Sequence, residues 1–114
     1  MTNLTKQSTP IYSLLADDAD LYEIVKMFVD EMPKRIDQLM SEFIAKNWGE
    51  LERTAHQLRG AAGSYGFGEV TPVAGKLEQA VQAKLPEEEI YQSLVELIDT
   101  CQRMTLQSRN TEAD

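Results

Sequence analysis

The chain contains one histidine, His56, and one cysteine, Cys101. Imidazole is the side chain that exchanges protons or ligands near neutral pH, so the chemistry this sequence offers begins at His56. A lone histidine excludes a multi-histidine metal site, and no metal-ligating residues are expected. It makes no hydrolase either, because no Ser/His/Asp order and no obvious nucleophile partner accompany it. No phosphate-binding glycine loop of the Walker type is present. Cys101 falls on an apolar stripe and reads as a buried small hydrophobe. The run Glu87-Glu88-Glu89 reads as compensation of a helix dipole rather than a metal site.

The surroundings of His56 are unusual in glycine. Of the chain's 6 glycines, Gly60, Gly63, Gly66, Gly68 and Gly75 fall within one short stretch. A glycine inside a helix costs roughly 0.5–1 kcal/mol relative to alanine, so something should offset it. On a helical wheel of about 100° per residue, with Leu51 at zero, the apolar stripe stays within about 40° of zero. His56 falls near 140°, Gly63 near 120° and Gly60 near 180°, away from the core and on one face. Arg59 and Glu52, near 80–100°, flank it. The glycines therefore either open the surface beside the imidazole or admit a neighbouring helix, and spacing alone leaves both readings standing.

The elements that hold this face follow from the apolar spacing. Leu21, Val25, Phe28, Met32, Ile36, Leu39 and Phe43 keep one helical phase across Pro33, which predicts a single long helix, kinked at the proline, from about Asp20 to Lys46. A shorter helix is expected over Pro10 to Ala16. Asn47 is expected to cap the next helix, with Glu50 completing a capping box; its stripe is Leu51, Ala55, Leu58, Ala62 and Tyr65. Gly66-Phe67-Gly68 breaks it. A third stripe runs Val70, Val73, Leu77, Val81, with Pro72 in its first turn. The last helix starts near Pro86 and presents Ile90, Leu94, Leu97, Cys101 and Met104. No stretch alternates as a half-buried strand does. The expected fold is all-α: an antiparallel up-down four-helix bundle with a short extra N-terminal helix, spanning residues 10–106. Residues 1–9 and 107–114 are polar, lack periodicity and are expected to be loosely ordered.

Composition bounds the partners. The 114 residues are 42% hydrophobic and 26% charged, an ordinary globular balance in one domain. A net charge of −8 disfavours nucleic acid and anionic membranes. No apolar run approaches the ~18 residues of a membrane span. No signal peptide is visible and one cysteine forms no internal disulfide, so a cytoplasmic location is expected.

The segment Ala55-His56-Gln57-Leu58-Arg59-Gly60-Ala61-Ala62-Gly63-Ser64-Tyr65-Gly66 resembles the signature of histidine-containing phosphotransfer (HPt) domains. That pattern has a hydrophobic residue two after the histidine, a basic residue three after it, glycine four after, then small residues, and glycine ten after. Asn47-Trp48 stands in the family's usual turn and Leu77-Glu78 matches its Leu-Glu or Leu-Gln downstream. The resemblance covers about residues 20 to 105. It implies that His56 accepts a phosphoryl group, on Nε2, from a receiver-domain aspartate and passes it to another. It implies that Arg59, where lysine is commoner, neutralises phosphoryl charge, and that Gly60 and Gly63 leave space for the phosphoryl group and the partner's loop. Ala55, Gly63 and Phe67 are candidates for the docking face.

Glu78 follows from register as well. The turn centres near Phe67, with His56 and Glu78 equally far on either side, so a folded-back helix pair sets them at one height. A carboxylate there accepts a hydrogen bond from Nδ1–H and leaves the Nε2 lone pair for attack; a solvated glutamate on a helix flank is the plain alternative. The implied protein is a monomeric phosphorelay intermediate without kinase activity of its own. Its partners are response-regulator receiver domains and a hybrid sensor kinase, with no cofactor beyond Mg²⁺ in the receiver. A helical docking module that binds a receiver or kinase without phosphotransfer is the alternative; a phosphohistidine phosphatase or hydrolase is disfavoured because no second general acid–base stands at a plausible distance apart from Glu78.

Overall fold

In a computed structural model the described residues, 9–107, are predominantly helical. They form β1 (Ile11–Tyr12), α1 (Tyr22–Asp30), α2 (Met32–Ile44), α3 (Trp48–Ser64), α4 (Val70–Gln82), α5 (Glu87–Gln102) and β2 (Met104–Thr105). The four long helices close a ring of contacts: α2 touches α3, α3 touches α4, α4 touches α5, and α5 returns to α2. The α3–α4 contact is by far the most extensive. Inside the ring, Leu39, Leu51, Leu58, Leu77, Leu94 and Leu97 are fully buried, as the apolar spacing of each helix requires.

Two expectations are corrected. The long kinked helix over Asp20 to Lys46 is two helices that meet at Glu31. Pro33 stands in the first turn of α2, where its missing N–H is no loss. The Glu31 amide donates to both Met27 O and Phe28 O, at 3.2 and 3.3 Å, so the ladder tightens and ends there. Glu31 keeps helical dihedrals (φ −82°, ψ −10°), and for that reason the apolar phase survives the break. The second correction concerns Pro10 to Ala16, which is no helix. Ile11 and Tyr12 pair in parallel with Met104 and Thr105, and the following residues turn. The Ile11 amide donates to Arg103 O at 2.8 Å and the Leu14 amide to Gly66 O at 3.0 Å. The amides of Ile11 and Leu14 thus go to distant chain, while those of Leu15 and Ala16 stay local, on Ser13 Oγ at 3.0 Å and Ser13 O at 3.3 Å, a turn and no helical ladder.

The last helix also falls short of its expected face, for α5 ends at Gln102 and Met104 stands in β2; the other boundaries agree with the spacing in place but not always in mechanism. Asn47 is the N-cap of α3, yet its side chain makes no capping bond. Glu50 reaches Arg53 instead, at 3.9 Å. Pro86 caps α5, and Glu87, Glu88 and Glu89 occupy its first turn. Cys101 is buried. The expected loose ends lie mostly in 1–8 and 108–114, outside the described residues; Thr9 O, just inside, accepts from Arg103 Nη1 at 3.2 Å.

Candidate functional site

Chain reversal at Gly66 assembles the site. Its φ of +87° is open to glycine and costly for other residues. The turn sets α4 against α3 in a register symmetric about Phe67. Glu52 Oε2 accepts from Gln82 Nε2 at 2.8 Å, and His56 meets Glu78. Arg59 packs by Gly75, and Gly63 by Thr71. Each pair lies equally far on either side of Phe67.

His56 projects from α3 with its side chain 60% exposed, while the Glu78 side chain behind it is only 8% exposed. Their approach is 2.8 Å, from Nδ1 to Oε2. A carboxylate only accepts, so Nδ1 carries the proton and donates it. The Nε2 of a neutral ring then keeps its lone pair. The other carboxylate oxygen, Oε1, lies 3.2 Å from Arg59 Nη1. That contact balances charge without hydrogen-bond alignment, and Oε1 is a buried atom with no donor. Arg59 Nη2 stands 3.4 Å from Nδ1, where the proton already faces Glu78.

The two glycines expected to act together are placed differently. A Cβ on Gly60 would meet nothing within 4 Å, so this glycine leaves open surface. A Cβ on Gly63 would lie 3.2 Å from Thr71 Oγ1, whose hydroxyl donates to Arg59 O at 3.2 Å. Gly63 therefore admits the start of α4. Of the residues considered for a docking face, Ala55 and Phe67 are fully buried and offer no surface; Phe67 instead packs against Phe28, with ring centroids 6.2 Å apart. Sequence reasoning missed Thr71 and Gly75. The available signal was the same symmetry about Phe67 that pointed to Glu78.

Among the described residues, no group of three or more His, Cys, Asp or Glu side chains could hold a metal ion. No helix among them is long and apolar enough to cross a membrane. No curated protein and no solved structure matches the chain. Residues 23–110 match the Hpt domain family. That match takes in most of the chain, α1 through α5 and the His56–Glu78 pair included, and the chain belongs to the Hpt domain family.

Proposed function

We propose that this chain is a phosphorelay intermediate in which His56 Nε2 takes a phosphoryl group from a receiver-domain aspartate or a kinase and passes it to a response-regulator aspartate. Hpt domains act as histidine phosphotransfer carriers rather than enzymes, and membership of that family supports this class of chemistry. The observation that carries the assignment to His56 is its pairing: an exposed imidazole held through Nδ1, at 2.8 Å, by a buried carboxylate. The Nε2 lone pair attacks phosphorus, the N–P bond forms, and the bond from phosphorus to the aspartyl oxygen breaks, its electron pair leaving on the carboxylate. The ring, protonated on Nδ1, becomes positive, and Glu78 offsets that charge as it develops. Onward transfer reverses these steps on a second aspartate.

Arg59 supplies positive charge beside the ring for the phosphoryl oxygens, and Gly60 leaves them room. Gly63 shapes the site through helix approach. The bundle is read as antiparallel and up-down, supported by short connections and by the symmetric α3–α4 register. The partners in this reading are response-regulator receiver domains and a hybrid sensor kinase in the cytoplasm, met by a monomer. Mg²⁺ belongs to the receiver, and this chain's residues bind, orient and balance charge.

The test is incubation with a phosphorylated receiver domain. Acid-labile, base-stable label should appear on this chain and be absent from His56→Gln. The variant should keep the fold, since His56 is exposed and off the core, with a melting temperature lowered at most modestly by loss of the contact with the buried Glu78 carboxylate. Complex formation without label transfer would instead identify a docking module.

A further inference from the structure

We propose that Gly75 is a positioning residue for the His56 site: it seats the aliphatic stem of Arg59, and Arg59 so seated holds Glu78 against His56. The proposal rests on the reading of His56 as the phosphoryl carrier. Gly75 lies buried inside α4, one turn before Glu78. Its φ is not in the left-handed region, so no backbone conformation demands glycine there. A helix-interior glycine without that demand costs stability, and what the missing side chain accommodates gives the compensation. A Cβ at this position would meet Arg59 Cδ at 3.3 Å and Nη1 at 3.9 Å, and no other group within 4 Å.

Arg59 therefore lies flat across α4 because Gly75 is bare. In that pose Nη1 reaches Glu78 Oε1 at 3.2 Å. Oε1 has no hydrogen-bond donor, so Arg59 is its charge partner. The two oxygens of one buried carboxylate are thus divided, Oε1 facing the guanidinium and Oε2 the imidazole at 2.8 Å. Displacing Arg59 leaves Oε1 buried and uncompensated, an unfavourable state that Glu78 relieves by turning away from His56. Gly75 acts through Arg59, and Arg59 through Glu78.

The experiment uses the full chain as wild type, Gly75→Val, Gly75→Ala, Arg59→Ala and the Gly75→Val/Arg59→Ala double variant. Two quantities are read: the ¹⁵N shifts of the single histidine ring, and the rate of transfer from a phosphorylated receiver domain. Gly75→Val should move the ring shifts in the direction Arg59→Ala moves them and slow transfer on the order of tenfold. The double variant should match Arg59→Ala alone, because both changes break one chain of contacts. Gly75→Ala should move the shifts the same way by less, and it decides the matter if the valine variant does not fold. Ring shifts unmoved by either substitution would overturn the proposal. So would a valine penalty that persists in full without Arg59, which marks Gly75 as a packing residue only. A wild type that takes up no phosphoryl group sinks the carrier reading, while the ring shifts still judge Gly75.

Discussion

At the residue scale the site is one exposed imidazole and one buried carboxylate, and their roles separate by substitution. Glu78→Gln keeps an oxygen that accepts from Nδ1–H but loses the negative charge opposite the ring. Charge-assisted hydrogen bonds are roughly twice as strong as neutral ones, so transfer should slow by about tenfold. Glu78→Ala removes acceptor and charge together and should be slower again, with His56 still competent. Single-turnover transfer from a phosphorylated receiver orders the three proteins; equal rates in wild type and alanine variant would reduce Glu78 to a packing residue. Gly60 tests the space around the ring instead of its charge. A Cβ there meets nothing within 4 Å, so Gly60→Gln should fold normally. It should also gain up to ~1 kcal/mol of helix propensity while its longer side chain crowds Nε2. A higher melting temperature with slower transfer is the expected pair of results, and undiminished transfer would show that the glycine serves something else.

Helix ends dominate the element scale. α2, α3 and α4 each stop in the same way, with a left-handed residue just past the cap: Lys46 (φ 57°), Gly66 (φ 87°) and Lys84 (φ 54°). In each, the next amide reaches back across the last turn: Asn47 to Glu42 O at 2.9 Å, Phe67 to Ala62 O at 2.8 Å, and Leu85 to Ala80 O at 3.1 Å. Glycine suits that position, and lysine strains it. Lys84→Gly should therefore stabilise the protein by about 0.5–1 kcal/mol, a rise of a few degrees in melting temperature. A lower melting temperature would mean that the lysine stem's packing outweighs the strain. Sequence placed the stop near Lys46 from the end of the apolar stripe, but it could not foresee the left-handed turn at either lysine, which no residue preference signals. The same division runs through the other elements. The stripes of α3, α4 and α5 were legible because each is a local pattern on one face. The break at Glu31 was not, because its dihedrals stay helical and the apolar phase runs on. Direction on a wheel separated His56 from the core, but it could not tell Gly60 from Gly63. That difference depends on Thr71 across the helix pair.

On the scale of the whole molecule, β1 and β2 tie the two ends of the described chain together in register Ile11 with Met104. Two-residue strands paired over such a separation leave no local signal, and so the sequence offered only a helix there. Ile11 and Met104 of this pair belong to the same buried core as Cys101, a residue that reports on the fold as a unit. Cys101 is 2% exposed. Burial pushes its pKa up to about 12 from an ordinary 9.0, with Arg35 opposing weakly. Iodoacetamide needs an accessible thiolate, and the native state offers neither access nor ionisation. Alkylation at pH 8 should therefore run at least about 10³-fold slower than in the urea-unfolded chain, following the small unfolded fraction. The same thiol sets a sign for pH. Between about 9 and about 12 the unfolded chain releases this proton while the folded chain holds it. The unfolded state then binds fewer protons, and stability falls as pH rises through that window. Cys101→Ala has a cavity but no such proton, so its melting temperature should decline less steeply above pH 9. The gap between the two proteins should narrow with pH, whereas parallel curves would place the thiol in contact with solvent and overturn its burial in the core.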